Sequence, residues 1–166
     1  MALSSLGKAT ATQYKFTLSR LPVSGAGIHQ LDVLKINLFD VNVPSMSLDV
    51  SEMPWQGMKA KMHMGGITFD SLNINYIVDS EFKNWKLLSQ WLLAIANNRN
   101  IPSRPADEYI LDASIILMDN WNNVVMSIIF RNLWIQSVGE LRLSIRDGET
   151  IIESSAVFNY DYYEIK

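Results

Sequence analysis

Cysteine is absent from the 166 residues, which removes disulfide frameworks, thiolate zinc sites, iron–sulfur clusters and cysteine nucleophiles together. Histidine is nearly absent. The two present, His29 and His63, have no acid at metal-ligand spacing, so they read as loop or surface residues rather than ligands. Positive charge is short as well: 14 Lys and Arg against 17 Asp and Glu give a formal net charge of −3, the wrong sign for gripping nucleic-acid phosphates. Charge of either sign is sparse, at 19% of residues against about 25% in an ordinary soluble domain. No apolar run approaches the ~20 residues of a membrane span, and residues 1–12 hold no stretch long enough for a signal peptide. The expectation is a soluble protein made in the cytoplasm, with no membrane partner. The length suits one domain, residues 1–166.

Catalytic patterns are missing too. Gly25 and Gly27 are followed by neither a third glycine nor a helix start, so they cradle no phosphate. No serine stands in a glycine-x-serine-x-glycine elbow. Asp107 and Glu108 sit beside a proline loop, where solvent is their natural partner. The sequence therefore predicts no enzyme, no catalytic residue, no metal and no cofactor.

What is present is alternation. Residues 1–12 are small and polar and read as an N-terminal arm. Tyr14, Phe16 and Leu18 share one face and Lys15, Thr17 and Ser19 the other, the mark of a half-buried strand. Leu21 to Gly27 breaks it, and a second strand is predicted from Leu34 to Val43, stopped by Pro44. Residues 45–66 hold five of the eight methionines, Met46, Met53, Met58, Met62 and Met64, around the turn material Pro54-Trp55-Gln56-Gly57. This reads as a long protruding hairpin closed by Gly65-Gly66. Thr68 to Asp79 is predicted as the next strand.

The period then lengthens to that of a helix over 80–98. Asp79 or Ser80 is expected to cap it, and Glu81 to sit in its first turn. Trp85, Leu88, Leu92 and Ile95 form the apolar stripe, widened by Phe82, Trp91 and Ala96, with Trp85 placed under the helix. Beyond Pro102 and Pro105 strands return. Tyr109–Met118 and Val124–Phe130 flank the turn Asp119 to Asn123, and Leu141–Ile145 turns at Asp147-Gly148 into a last strand from Glu149 to Tyr163. The fold class is α+β and mainly β: a two-sheet antiparallel barrel or sandwich with one flanking α-helix and a long protruding hairpin.

Two features point outward. Trp55 and Trp121 lie at predicted turns, where a large ring either folds back or is covered by another chain. Methionine adapts to irregular apolar surfaces, which suits packing formed on assembly. A hairpin outside the main barrel also carries unpaired backbone groups that another strand can satisfy. Candidate inter-subunit contacts are therefore Met46, Met53, Trp55, Met58, Met62, Met64, Trp121, Tyr162 and Tyr163.

Four places together carry a family resemblance: Val43-Pro44-Ser45-Met46 leading through the hairpin to Gly65-Gly66; Thr68-Phe69-Asp70; the helix with Phe82, Trp85 and Leu88; and Gly139-Glu140-Leu141-Arg142-Leu143 followed by Asn159-Tyr160-Asp161-Tyr162-Tyr163. In this order the chain resembles the tail tube proteins of contractile-tailed bacteriophages, whose fold is shared with type VI secretion and pyocin tubes. The resemblance implies stacked hexameric rings forming a virion's inner tail tube, assembled in the host cytoplasm. It implies sheath and baseplate proteins as partners, with double-stranded DNA passing through unbound. An acidic or neutral wall would suit that passage, and Asp70, Asn73, Asn75, Glu140, Arg142 and Ser144 are candidates to face the lumen. The Leu21–Ile28 insertion and the methionine-rich hairpin depart from the family pattern. They leave open a tube-initiator ring on the baseplate side, and a monomeric barrel binding a small apolar ligand is the reading from another class.

Overall fold

The computed structural model describes residues 13–19, 37–55, 57–98, 109–119, 121–143 and 151–166. The expected arm at 1–12, the break at Leu21–Gly27, His29, the prolines at 102 and 105, Asp107, Glu108, Ser144 and the Asp147-Gly148 turn lie outside them.

Among the described residues, nine strands and one helix follow in chain order: β1 (Gln13–Leu18), β2 (Asn37–Asn42), β3 (Met46–Trp55), β4 (Met58–Phe69), β5 (Leu72–Ile77), α1 (Lys83–Asn98), β6 (Leu111–Met118), β7 (Val124–Val138), β8 (Glu153–Asn159) and β9 (Tyr162–Ile165). All pairings are antiparallel. Seven strands run β1-β6-β7-β8-β5-β2 with β9 added beside β7, and among the described strands β3 pairs only with β4. The long β7 joins two sheets. Its first half pairs β6 and β9, and its second half pairs β8.

The bend between those halves is built by side chains. Asn132 takes a positive φ of 55°, and the Asp112 carboxylate receives its backbone N–H at 3.2 Å and the Arg131 guanidinium at 2.6 Å. Opposite, the ladder slips between Leu111 and Ala113, the local irregularity that turns a strand.

Alternation fills the space between the sheets. Phe16, Leu72, Ile74, Tyr76, Ile115 and Phe130 are among the fully buried side chains, joined by Leu88 and Trp91 from α1. Trp91, not Trp85, is the ring beneath the helix. It is wholly buried, packs 5.7 Å from Phe158 and donates its indole N–H to Tyr109 O at 2.8 Å. Trp85 is half-buried at the flank and donates to Gly139 O at 3.2 Å. Both rings fit one helical stripe, and the sheet decides which part of it is covered.

The helix begins at Lys83 rather than at 80, so Glu81 precedes it and pairs with Lys83. Neither Asp79 nor Ser80 caps it with a side chain. Phe82 adopts a left-handed φ of 57°, and the buried Asn84 binds the approach: its Oδ1 accepts from Asp79 N–H and Trp85 N–H, and its Nδ2 donates to Ile77 O.

Several strand boundaries differ from expectation: β7 continues past Phe130 to Val138, and β8 begins at Glu153. β4 runs through Gly65 and Gly66 to Phe69, and the break before β5 falls at Asp70-Ser71. The glycines instead form an irregularity inside the hairpin: Gly65 has φ +82°, and a Cβ on Gly66 would meet Asp49 Oδ2 at 2.9 Å. The last strand is broken at Tyr160-Asp161, so that β8 and β9 reach opposite ends of β7. Leu141 to Leu143 carry no ladder.

Candidate assembly surfaces

The β3–β4 hairpin extends roughly 30 Å at ~3.3 Å per residue and is joined to the two-sheet body at its foot. There Asp70 N–H donates to Ser45 O at 3.2 Å, and the Ser45 hydroxyl bonds the Asp70 carboxylate. Tyr160 donates its hydroxyl to Asp70 O at 2.7 Å and Tyr163 to Pro44 O at 3.2 Å. Behind these bonds, Phe69 lies 5.3 Å from Tyr163 and Phe130 lies 4.9 Å from Tyr160, both edge to face. Burial first, then Tyr163 and the Asp70 charge, push the Tyr160 phenol up to about 12, so it stays neutral and donating. The hairpin is thus a fixed arm.

Opposed residues in an antiparallel pair share a face. Toward the tip, Met53 opposes Ala60 and Ser51 opposes Met62, which puts Met53, Met58 and Met62 on one face. Glu52, Lys59 and Lys61 take the other, with Lys59 Nζ 3.1 Å from Glu52 Oε2. Toward the foot the apolar side changes: Met46 opposes Phe69 and Leu48 opposes Ile67, on the face that carries Glu52 further along. Met58 is 71% exposed, and Met46, Leu48, Val50, Met53, Met62 and Ile67 are each more than half exposed. Isolated surface hydrophobes are ordinary, but contiguous ones mark an interface. The Trp55 and Met64 backbones belong to β3 and β4, while their side chains lie outside what the structure describes.

A second apolar feature is the β6–β7 turn. Trp121 is 83% exposed, flanked by exposed Val124 and Val125. The turn beneath it is hydrogen-bonded to Asp119. Asp119 Oδ1 accepts the backbone N–H groups of Trp121 and Asn123, both at 2.8 Å, and Asn122 takes a φ of 62°. The Asn123 backbone and side-chain donors, with that of Trp121, hold the Asp119 carboxyl below its ordinary value. A large ring on a hydrogen-bonded turn fits the anchor residues of interfaces.

Strand edges are the third feature. Among the described strands, β1 pairs only with β6, β2 only with β5 and β9 only with β7, so each offers an open edge to another chain. Tyr162 is exposed on β9, whereas Tyr163 is engaged within its own chain at the hairpin foot.

The expected lumen residues separate. Asn73 and Asn75 project together from the outward face of β5, with Asn75 Nδ2 donating to Asp40 Oδ2 at 3.2 Å. Asp70 is bound up in the hairpin foot, and Glu140 and Arg142 are exposed in the segment after β7. Sequence reasoning passed over Leu48, Val50, Ile67, Val124 and Val125. The alternation Met46-Ser47-Leu48-Asp49-Val50 carried a signal for the first two. Among the described residues no three His, Asp or Glu groups gather to hold a metal, and no helix of the described residues is long and apolar enough to cross a membrane.

Two antiparallel sheets, one helix, an apolar hairpin and, among the described strands, open edges make a mainly β architecture of the tube and Hcp-like fold. The chain matches the phage tail tube protein family over residues 9–166 and belongs to it. It is 30% identical over 108 residues to the tail tube terminator protein of Enterobacteria phage T4, a match covering 61% of this chain and 60% of that protein. The chain thus aligns with about three-fifths of that relative's length. Its fold is similar to the PVC sheath/tube terminator of an extracellular contractile injection system in the extended state, with TM-score 0.70, 13% identity and 98% and 99% of the two chains covered. The corresponding sheath–tube complex gives TM-score 0.64, 14% identity and 98% and 93% coverage. The chain is thus a tail-tube-related protein.

Proposed function

We propose that this chain is the subunit of a ring that terminates a phage tail tube. Six copies would close head to tail through their open strand edges, dock on the last tube ring by the hairpin, and leave a channel through which DNA passes. Sheath and neighbouring tail proteins would be its partners, and the assembled virion tail its location. The observation that carries the reading is the 30% identity to a tail tube terminator. The exposed arm and edges supply the physical means, because a rotation that closes makes a ring of identical contacts.

The repeating tube subunit expected from sequence is the second reading, supported by the match to the tail tube protein family across residues 9–166. Electron microscopy of the purified protein, alone and mixed with preformed tubes, separates the two. A terminator yields discrete rings and caps that halt tube growth. Open-ended polymers of this chain alone would overturn the terminator reading in favour of the repeating subunit. Rings that nucleate tubes instead of stopping them would assign it to the initiator side, and a stable monomer would remove ring assembly altogether.

A further inference from the structure

The two halves of the β3–β4 hairpin are apolar in different chemistry. Toward the foot, the exposed apolar side chains beyond Met46 are hydrocarbon: Leu48, Val50 and Ile67. At the tip they are thioethers. Met53, Met58 and Met62 stand on one face beside Ala60, and each of the three methionines is more than half exposed. Glu52, Lys59 and Lys61 project from the other face. Elsewhere among the described residues methionine fills gaps in its usual way: Met118 and Met126 are half-buried, and Met126 packs against the core. The foot demonstrates that an exposed apolar face on this ribbon can be made of hydrocarbon, including the branched side chains that strands favour. Apolarity alone therefore does not call for three sulfurs at the tip.

Sulfur differs from hydrocarbon in carrying lone pairs that an oxidant can take. We propose that Met53, Met58 and Met62 form an oxidative modification site on the free subunit, with hydrogen peroxide as the oxidant and loss of docking as the consequence. A sulfur lone pair attacks one oxygen of the peroxide. The O–O bond breaks as the S–O bond forms, and the proton of the transferred oxygen passes to the departing one, which leaves as water. Sulfur loses two electrons and the peroxide gains them, so each event yields one sulfoxide and one water. The step requires that the peroxide reach the sulfur, so exposure orders the sites: Met58 leads Met53 and Met62, and all three precede Met126.

The consequence rests on the reading that the hairpin docks on a tube; the chemistry does not. A sulfoxide is polar where the thioether was apolar and flexible. Buried against an apolar partner, its oxygen is left unpaired, a cost the thioether never carries. The tip lysines project from the opposite face, so they offer that oxygen no donor. Docking in turn covers the sulfurs, which leaves the subunit open to modification before assembly and closed to it afterwards. Reduction of the sulfoxide restores the thioether, so the change is reversible. Met46 is set apart by register: it opposes Phe69 at the foot, on the face that carries Glu52 further along.

The test exposes the purified protein to hydrogen peroxide, locates sulfoxides over time by peptide mass mapping, and follows docking to preformed tubes by co-sedimentation. Sulfoxide at Met53, Met58 and Met62 should accumulate several times faster than at Met126, with thermal unfolding of the subunit unchanged. Docking should weaken by about tenfold or more and return after treatment with methionine sulfoxide reductases. The Met53→Leu/Met58→Leu/Met62→Leu variant keeps the face apolar at similar volume and should dock alike before and after peroxide. Met46→Leu should stay as sensitive as the unsubstituted protein. Oxidation of Met126 as fast as the tip overturns the site. Full docking by protein with an oxidised tip, or equal loss in the triple leucine variant, overturns the consequence. Failure of untreated protein to dock overturns the docking reading, while the order of oxidation still decides the modification site.

Discussion

Tyr163 donates its hydroxyl to the carbonyl oxygen of Pro44 at 3.2 Å, across 119 positions of sequence. One bond ties β9, near one end of the chain, to the point where β2 gives way to the hairpin. With Tyr160 reaching Asp70 O on the other strand of the arm, both legs of the hairpin are held to the body by phenols packed against Phe69 and Phe130. Tyr163→Phe should remove one neutral hydrogen bond and keep the ring contacts, a loss of about 1 kcal/mol in urea unfolding. Hydrogen exchange in Met46–Phe69 should rise more than in β5 or β8. Uniform loss of protection would show that the bond holds no particular element.

The same cluster sets an alkaline limit. The Tyr160 phenol is raised to about 12, above the ordinary value near 10, so the folded state binds its proton more tightly than the unfolded one. That contribution is complete below pH 10 and is lost as pH climbs toward 12. Ultraviolet titration should show late-ionising tyrosines, the Tyr14 and Tyr76 phenols being raised by burial as well, and Tyr160→Phe should remove one of those late steps.

At the other end of β7, the Asp119 carboxyl is held below its ordinary value by the N–H donors of its turn. A depressed carboxylate stabilises above its unfolded pKa and loses that effect as pH falls through the folded one. The Trp121 turn should therefore keep its order at neutral pH and loosen in acid below about pH 4. Asp119→Ala should loosen it at every pH, visible as faster exchange at Trp121 and Asn123, and should weaken assembly without unfolding the sheets. Assembly unchanged in that variant would remove Trp121 from the contact set.

Replacing Met53, Met58 and Met62 by serine alters side chains that are already exposed. Monomer stability should stay within about 0.5 kcal/mol, while docking to tubes is lost. Retained docking would move the interface off the tip face of the hairpin.

The helix gives a stability contrast. Trp91→Ala should cost about 3–5 kcal/mol, as truncation of a wholly buried aromatic does, whereas Trp85→Ala should cost less because that ring lies at the flank. Equal losses in thermal unfolding would contradict the burial order. Tyr76 offers the converse case. Its phenol is buried, which raises its pKa, the Ser154 hydroxyl offsetting this in part, yet its oxygen meets no hydrogen-bond geometry among the described residues. Tyr76→Phe should be neutral or stabilising.

Much of this was legible in the linear chain because local periodicity is a local property. The alternation at Tyr14 to Leu18, the helical stripe from Trp85 to Ile95 and the methionine-rich hairpin with its turn before Met58 all report the geometry of their own backbone. So does the β6–β7 turn, whose asparagines tolerate left-handed φ. Boundaries set by distant partners were not legible. Gly65-Gly66 looked like a stop and became an irregularity within β4, since β3 lay opposite to continue the ladder. The stretch after Glu149 looked like one strand and split at Tyr160-Asp161, since its halves serve opposite ends of β7.

The sequence by itself determined that the chain has no cysteine thiol, that it alternates into strands around one helix, and that it spends apolar side chains on a long hairpin. Tertiary structure alone decided which tryptophan is buried, how the arm is anchored, and that Met53, Met58 and Met62 from separate strands share one face, opposite Lys59 and Lys61. The reason is physical: strand pairing sets which residues of separate strands stand together, and the character of a face belongs to the sheet rather than to any strand within it.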